Sequence, residues 1–173
     1  LPIPNLIIST PKDSIEAGNL LYTAMLSKRP FAIRYSKDKL TYQKENYKII
    51  PIGSWEEISK GKDTVLITYG SLINNAIKIK QNLSKQIDLT IINARYQKPI
   101  DEKMFKSILK DYKNIFIYEE TTYINSLGSY LVNYDNKEKY IEFLQKHEKG
   151  HFLQSPEWAK VKNEWKNEVV LVE

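Results

Sequence analysis

Short apolar runs rich in β-branched residues alternate with segments whose apolar residues recur at helical spacing, and this alternation constrains the fold more than any other feature. The runs that we expect to form strands are residues 6–9, 31–35, 64–69, 89–92 and 115–118. Parallel strands joined by crossover helices are the arrangement that such a pattern favours. The sequence therefore predicts an α/β fold with a mainly parallel sheet. Ligand or partner contacts are expected at the carboxyl ends of the strands.

Capping residues predict where the helices between these strands begin. Asp13 is expected to cap the first helix, with Glu16 reaching back to complete a capping box, and Asp101 to cap a later one. The glycine and serine at 70–71 follow a predicted strand without a glycine-rich fingerprint, so we interpret them as a helix start rather than a phosphate-binding turn. The predicted apolar face of the first helix consists of Ile15, Leu20, Leu21, Ala24 and Met25.

Composition and charge exclude several classes of protein. The formal net charge is +5, but the lysines are dispersed among acidic residues, which argues against nucleic-acid binding. The chain contains no cysteine and no long apolar run, so we expect a cytoplasmic protein without disulfides and without membrane contact. From Asn136 onward lysine and glutamate balance, and the whole positive excess lies before that residue. This shift in charge predicts a domain boundary near residue 136.

The tail is predicted to contain helices around a histidine pair. We expect one helix over residues 138–147, a second one capped by Ser155, and a strand over residues 169–172. The run HEKGH, residues 147–151, has the spacing of a zinc-binding helix. Gly150 interrupts the helical pattern and no convincing third ligand follows, so we predict solvated histidines and no metal site.

Charged residues follow two of the predicted strands. Arg34 and Lys37 leave the end of a buried strand, which is the position from which an α/β sheet holds an anionic substrate; a solvated strand end is the alternative. Glu119 and Glu120 follow another strand, where like-charge proximity would suit acid–base chemistry. Because the sequence shows no partner for them, we favour structural hydrogen bonding for this pair.

Seven strings resemble, in order and spacing, the 1-deoxy-D-xylulose-5-phosphate synthase family of the transketolase superfamily. They are IPNLIISTPKD (3–13), LLYTA (20–24), AIRYSKD (32–38), IPIG (50–53), INARYQKPIDE (92–102), IYEE (117–120) and LGS (127–129). The resemblance implies a thiamine-diphosphate enzyme with magnesium that condenses pyruvate with glyceraldehyde 3-phosphate to begin isoprenoid-precursor synthesis. It also implies a sheet of the transketolase C-terminal domain type. Residues 1–45 would end the pyrimidine-binding domain, and residues 49–135 would form a truncated C-terminal domain.

The resemblance carries over only two site residues, both for the substrate phosphate. The string AIRYSKD resembles the family pattern A-[IV]-R-Y-P-R-G, in which the second arginine holds that phosphate. Arg34 matches the first arginine, and Lys37 stands in place of the second, so the charge is kept but the planar fork is lost.

The catalytic and cofactor-binding residues of the family lie upstream of Leu1, so none is assigned in this chain. We therefore expect a fragment that is inactive and binds no thiamine diphosphate or magnesium by itself. Its expected partner is a second copy or the missing upstream polypeptide. A non-catalytic dimerisation or interaction module is the alternative.

Residues 137–173 resemble a different family, the Fem-type peptidoglycan-bridge aminoacyltransferases, at its amino-terminal edge. The resemblance lies in YIEFLQKHEKGHFLQSPEWAKVKNEW (140–165), and its characteristic residues are Gln154, Ser155, Trp158 and Lys162. An aminoacyl-transfer protein defined by this tail is the third hypothesis.

Overall fold

Strands and helices alternate along the chain, as the apolar pattern predicts. The computed structural model describes residues 3–37, 46–122 and 126–146. In chain order the elements are β1 (Ile7–Ser9), α1 (Ser14–Ser27), β2 (Phe31–Ile33), β3 (Glu56–Ser59), β4 (Thr64–Thr68), α2 (Leu72–Leu83), β5 (Leu89–Asn93), β6 (Tyr96–Lys98), α3 (Glu102–Asp111), β7 (Asn114–Ile117) and α4 (Leu127–Lys146). The predicted α/β fold is confirmed, and β1, α1 and β2 form its amino-terminal strand–helix–strand segment.

The strands form two mixed sheets. One has the order β3-β5-β4-β7, with β4 parallel to β5 and to β7 and with β3 antiparallel to β5. The other has the order β2-β1-β6, with β1 parallel to β2 and antiparallel to β6. The expectation of a mainly parallel sheet holds, but each sheet also has an antiparallel edge strand that the sequence did not predict. Antiparallel partners need no crossover helix, so the alternating pattern carries no sign of them.

The chain divides into two compact units, residues 1–120 and residues 121–173. One cluster of the hydrophobic core of the first unit lies where α2 covers the four-stranded sheet. Its buried members are Leu66, Ile73, Ala76, Leu89 and Ile91. Because each buried leucine or isoleucine side chain contributes about 1.5–3 kcal/mol, this group fixes the sheet on which the strand-end residues are mounted.

Helix α1 begins as predicted. The Asp13 carboxylate accepts a hydrogen bond from the Glu16 backbone N–H at 2.7 Å, and Glu16 Oε2 reaches back to accept from the Lys12 N–H at 2.7 Å. The first contact satisfies a backbone donor that the first turn of a helix leaves without an intrahelical acceptor, and the second satisfies the N–H of Lys12, the residue before the cap. The Glu16 side chain is only 3% exposed, so it does more than cap the helix.

The predicted apolar face of α1 is wrong in part. Leu20 is buried, but Leu21 and Met25 are 56% and 74% exposed. Thr23 takes a place on the buried face instead, since its hydroxyl accepts from the Ile50 N–H at 2.9 Å and donates to the Asn19 carbonyl at 2.8 Å. The helix therefore turns a partly polar face inward, which a search for apolar spacing does not detect.

The starts of α2 and α3 agree with the sequence. Asp101 caps α3 by accepting from the Met104 N–H at 2.9 Å. Gly70 has a φ of +63° directly before α2, and a Cβ there would lie 2.8 Å from Thr10 Cγ2. Both observations favour glycine at this position, and α2 begins at Leu72 after its N-cap Ser71, which confirms that residues 70–71 introduce a helix.

In the second unit, α4 begins at Leu127, well before the predicted start at residue 138. Ser126 precedes it and accepts from the Ser129 N–H at 2.9 Å, and Leu127 and Leu131 are buried. The HEKGH run, the helix expected after Ser155, the strand over residues 169–172 and the four Fem-like residues all lie outside the described residues. Within the described ranges, no helix is both long and apolar enough to cross a bilayer.

Candidate functional site

Charged side chains gather near the carboxyl ends of the strands in the first unit, and they form two groups. The first, here called the acid–base cluster, comprises Lys12, Glu16, Glu56, Asn93 and Arg95. The second, here called the Arg34 cluster, comprises Arg34, Tyr69 and Glu119. Both groups join the strand–helix–strand segment to the four-stranded sheet.

Glu16 lies at the centre of the acid–base cluster. Its carboxylate accepts from Asn93 Nδ2 at 3.0 Å and from Arg95 Nη1 at 3.4 Å, in addition to the Lys12 N–H. A buried carboxylate needs such partners, since an unpaired charge in the interior is strongly destabilising. Asn93 ends β5 and Arg95 follows it, so the strand end supplies both donors.

Glu56 and Lys12 form the more exposed half of the cluster, with Lys12 Nζ 2.8 Å from Glu56 Oε2. Burial by itself favours the neutral form of each group, but the hydrogen bond and the charges of the neighbours outweigh it. As a result the pKa of Lys12 is raised and the pKa of Glu56 is lowered. Both groups stay charged at neutral pH, so this pair is suited to an ionic contact rather than to proton transfer.

An open cavity of about 420 Å³ borders this cluster. Its lining includes three cations and three carboxylates, namely Lys12, Lys48, Arg95, Asp13, Glu16 and Glu56. The Arg95 guanidinium is further occupied by the Ser54 carbonyl, which accepts from Nε at 2.9 Å. The positive and negative charges balance, and Arg95 is already hydrogen-bonded within the protein. The acid–base cluster is therefore suited to a structural role, in which it links the strand–helix–strand segment to the four-stranded sheet.

The Arg34 cluster joins the ends of three strands. Arg34 follows β2, Tyr69 follows β4, and Glu119 follows β7. The Arg34 guanidinium lies over the Tyr69 ring, with Cζ 5.9 Å from the ring centroid, and the Tyr69 hydroxyl donates to Glu119 Oε2 at 3.1 Å. Burial, together with the charge and hydrogen bond of Glu119, raises the pKa of Tyr69 to about 12, although Arg34 opposes the shift. The phenol therefore stays protonated at any physiological pH.

The structure brings together two of the strand-end residues that the sequence selected. Arg34 and Glu119 both contact Tyr69, and Glu119 accepts a hydrogen bond, in agreement with the structural role favoured for it. Lys37 lies three residues beyond Arg34 with an exposed side chain, and Glu120 is also exposed. The phosphate-binding role of Arg34 and Lys37 stays a prediction.

Sequence reasoning missed the acid–base cluster. Arg95 lies three residues after the predicted strand 89–92, and the argument applied to Arg34 would have selected it. Glu56 lies in β3, a strand that was not predicted. Nothing in the sequence therefore indicated that Glu56 belongs to the cluster.

The comparison with protein families decides the family. Residues 53–149 match the model of the transketolase C-terminal domain. The chain belongs to this family.

Curated relatives of this transketolase C-terminal domain chain include 1-deoxy-D-xylulose-5-phosphate synthases. The Aquifex aeolicus enzyme is 34% identical over 138 residues, which cover 79% of this chain and 22% of the relative. The Listeria monocytogenes enzyme is 37% identical over 142 residues, covering 80% of this chain and 23% of the relative. The chain thus spans less than a quarter of the length of these relatives.

Solved structures share the fold. A structure titled "Split gene transketolase, inactive beta4 tetramer" superposes with a TM-score of 0.69 at 20% identity and covers 76% of this chain and 44% of its own. A Pichia stipitis transketolase mutant superposes with a TM-score of 0.55 at 17% identity, covering 72% of this chain and 19% of its own. At these identities the likeness establishes the fold alone.

Proposed function

We propose that this chain is the carboxyl-terminal part of a thiamine-diphosphate-dependent transferase of the 1-deoxy-D-xylulose-5-phosphate synthase type, which condenses pyruvate with glyceraldehyde 3-phosphate. The observation that carries the proposal is that curated synthases of this type are 34% and 37% identical to the chain over 79% and 80% of its length. The Arg34 guanidinium over Tyr69 lies at a strand end, where an α/β sheet holds its ligands. In this proposal the chain contributes substrate contacts and assembly surfaces to a larger enzyme.

Arg34 and Lys37 are the proposed contacts to the substrate phosphate. An arginine presents several N–H donors in one plane and binds phosphate through two of them, whereas a lysine acts as a point charge. Both side chains are exposed at the end of β2, as contact with a ligand requires. The four-stranded sheet supports this position through Tyr69.

The described residues offer no group of ligands for the metal ion that accompanies thiamine diphosphate. Within residues 3–37, 46–122 and 126–146, no group of three or more histidine, aspartate or glutamate side chains is placed to hold a metal ion. Glu16 and Glu56 are both occupied by cations of their own cluster. We therefore assign the cofactor site to a partner, which is the upstream polypeptide of the enzyme, and derive no catalytic step from this chain.

Complementation tests the proposal. The purified chain is mixed with the part of the Listeria monocytogenes synthase that precedes the matched region, together with thiamine diphosphate, magnesium and both substrates. We expect product from the mixture but none from either part by itself. Product formed at an enzyme-like rate by this chain without its partner would overturn the proposal, as would a mixture that associates but stays inactive.

A substitution of Arg34 tests the proposed contact with the substrate phosphate. Arg34→Leu removes charged hydrogen bonds worth about 1.5–3 kcal/mol, so we expect the KM for glyceraldehyde 3-phosphate to rise about 10- to 150-fold. Arg29→Leu is the matched control, because Arg29 is an exposed arginine outside both clusters. Equal KM values for the two variants would remove Arg34 from the substrate site.

A non-catalytic interaction module is the second candidate, favoured by the outer face of α1. Leu21, Met25 and Leu26 are each more than half exposed there, and neighbouring apolar residues on a helix are a common contact surface. Light scattering distinguishes the two candidates, because a bare module would associate with the partner without restoring turnover. The domain bounds 1–45, 49–135 and 137–173, the cytoplasmic location and the Fem-like tail stay predictions.

A further inference from the structure

We infer that Tyr69 and Glu119 are positioning residues for anion recognition by Arg34. The inference rests on the proposed function and adds to it the groups that set the direction of the guanidinium. Tyr69 and Glu119 follow strands β4 and β7 of the four-stranded sheet, whereas Arg34 follows β2 of the strand–helix–strand segment. The contact therefore makes the family-matched domain part of the substrate site.

The backbone around each member of the cluster is fixed. The Arg34 N–H donates to the Ser9 carbonyl at 2.8 Å, which extends the pairing of β1 with β2 by one residue. On the other side, the Tyr118 N–H donates to the Ile67 carbonyl at 3.0 Å, and the Thr68 hydroxyl donates to the Tyr118 carbonyl at 2.7 Å. Tyr69 and Glu119 are the residues that directly follow these two anchored positions.

The tyrosine is itself immobilised. Its side chain is only 6% exposed, and its hydroxyl is held by Glu119 Oε2. Burial and Glu119 raise the pKa of Tyr69 to about 12, so the hydroxyl remains a donor throughout the physiological range. Glu119 fixes the ring, and the ring presents one face to the arginine.

The contact with Tyr69 leaves Arg34 donors for an anion. A guanidinium carries five N–H donors, and the ring contact at 5.9 Å together with a hydrogen bond to the Tyr69 side chain engages only part of them. The Arg34 residue is exposed, so solvent and solutes reach it. A flexible arginine loses side-chain entropy when it binds an anion, and a guanidinium already held on a ring loses less. Tyr69 thus prepares Arg34 for a phosphate without touching the phosphate itself.

Nuclear magnetic resonance of the arginine side chains tests the inference on the full chain without its partner. The chain has only three arginines, Arg29, Arg34 and Arg95, so their Nε–Hε signals are separable. We expect a ring-current shift at Arg34 that Tyr69→Leu abolishes and Tyr69→Phe retains. Tyr112→Phe is the matched control, because it removes a hydrogen-bonded phenol that contacts Thr90 instead of the Arg34 cluster.

Inorganic phosphate is then the probe for anion recognition, with chloride at equal ionic strength as the reference. We expect phosphate to shift the Arg34 signal more than the Arg29 signal, and Tyr69→Leu to remove that difference. Glu119→Gln keeps a hydrogen-bond acceptor and is expected to preserve most of the response, whereas Glu119→Ala is expected to reduce it. Circular dichroism confirms that each variant is folded before its signals are compared.

In the complemented enzyme, Tyr69→Leu is expected to raise the KM for glyceraldehyde 3-phosphate about two- to fivefold, the equivalent of an exposed cation–π contact, with little change in kcat. Tyr69→Phe is expected to restore most of that loss. An Arg34 signal that is the same in the wild type and Tyr69→Leu would overturn the inference, and so would a phosphate response no larger than that of Arg29. Because the spectra need no turnover, an inactive mixture with these spectral responses intact would count against the proposed function only.

Discussion

Replacing Glu16 with alanine is the most direct test of the acid–base cluster. The change removes a carboxylate that is 3% exposed, and with it the acceptor for the Lys12 N–H, Asn93 Nδ2 and Arg95 Nη1. Removing one partner of a buried ion pair costs about 3–5 kcal/mol. Lys12 and Arg95 are 22% and 15% exposed and both remain near Glu56, so solvent and that second acid reduce the cost. We expect a loss of about 2–4 kcal/mol.

Urea unfolding followed by far-ultraviolet circular dichroism measures this loss. With an m-value of about 2 kcal/mol/M, the middle of the usual range in urea, the midpoint should fall by roughly 1–2 M. Glu16→Gln keeps an oxygen acceptor and should lose about 1–2 kcal/mol. Glu57→Ala is the matched control, since this neighbouring glutamate of β3 is exposed and should change stability by less than about 0.5 kcal/mol. If Glu16→Ala is no less stable than Glu57→Ala, the cluster contributes nothing to folding and the reasoning is refuted.

Three further outcomes are expected. The partners of Glu56 lower its pKa in the folded protein, so the Glu56 carboxylate stabilises the fold above about pH 4.5, and this stabilisation is lost as the pH falls through the pKa of the folded state. In Glu56→Gln, the free energy of unfolding should therefore depend less on pH below about pH 5. Gly70→Ala forces an alanine to a φ of +63° and should destabilise by about 1–2 kcal/mol, whereas Ser71→Ala should be nearly neutral because its side chain makes no capping bond. Leu20→Ala should lose about 2–5 kcal/mol, whereas Met25→Ala, at a position 74% exposed, should change the melting temperature little; equal losses would contradict the burial pattern of α1.

Elements with a strong local signal were predictable from the sequence. Asp13 and Asp101 cap helices because a short acidic side chain bonds the backbone donors a few residues later, which is a local interaction. The runs at 64–69 and 89–92 coincide closely with β4 and β5, whose residues are all buried. Fully buried parallel strands are continuously apolar, so composition is enough to find them.

The elements that were missed depend on partners distant in the sequence. β3 reads Glu-Glu-Ile-Ser and β6 reads Tyr-Gln-Lys, and each is a strand only because an edge of a sheet lies beside it. The inner face of α1 was misjudged for the same reason, since Glu16 and Thr23 are buried by contacts with distant segments. In the Arg34 cluster, the position of Arg34 at the end of a predicted strand was enough to select it. The sequence did not reveal that Tyr69, 35 positions later, contacts its guanidinium.

The short link between β5 and β6 has a practical consequence for dissecting the protein. β5 ends at Asn93 and β6 begins at Tyr96, yet these strands belong to different sheets. A recombinant piece started at residue 53, where the family match begins, would deprive β6 of its neighbour β1 and Arg95 of Glu16. Such a piece would carry an unprotected strand edge and would leave Arg95 with Glu56, at 3.7 Å, as its acidic partner, which favours aggregation or misfolding. Expression trials should therefore retain β1 and α1.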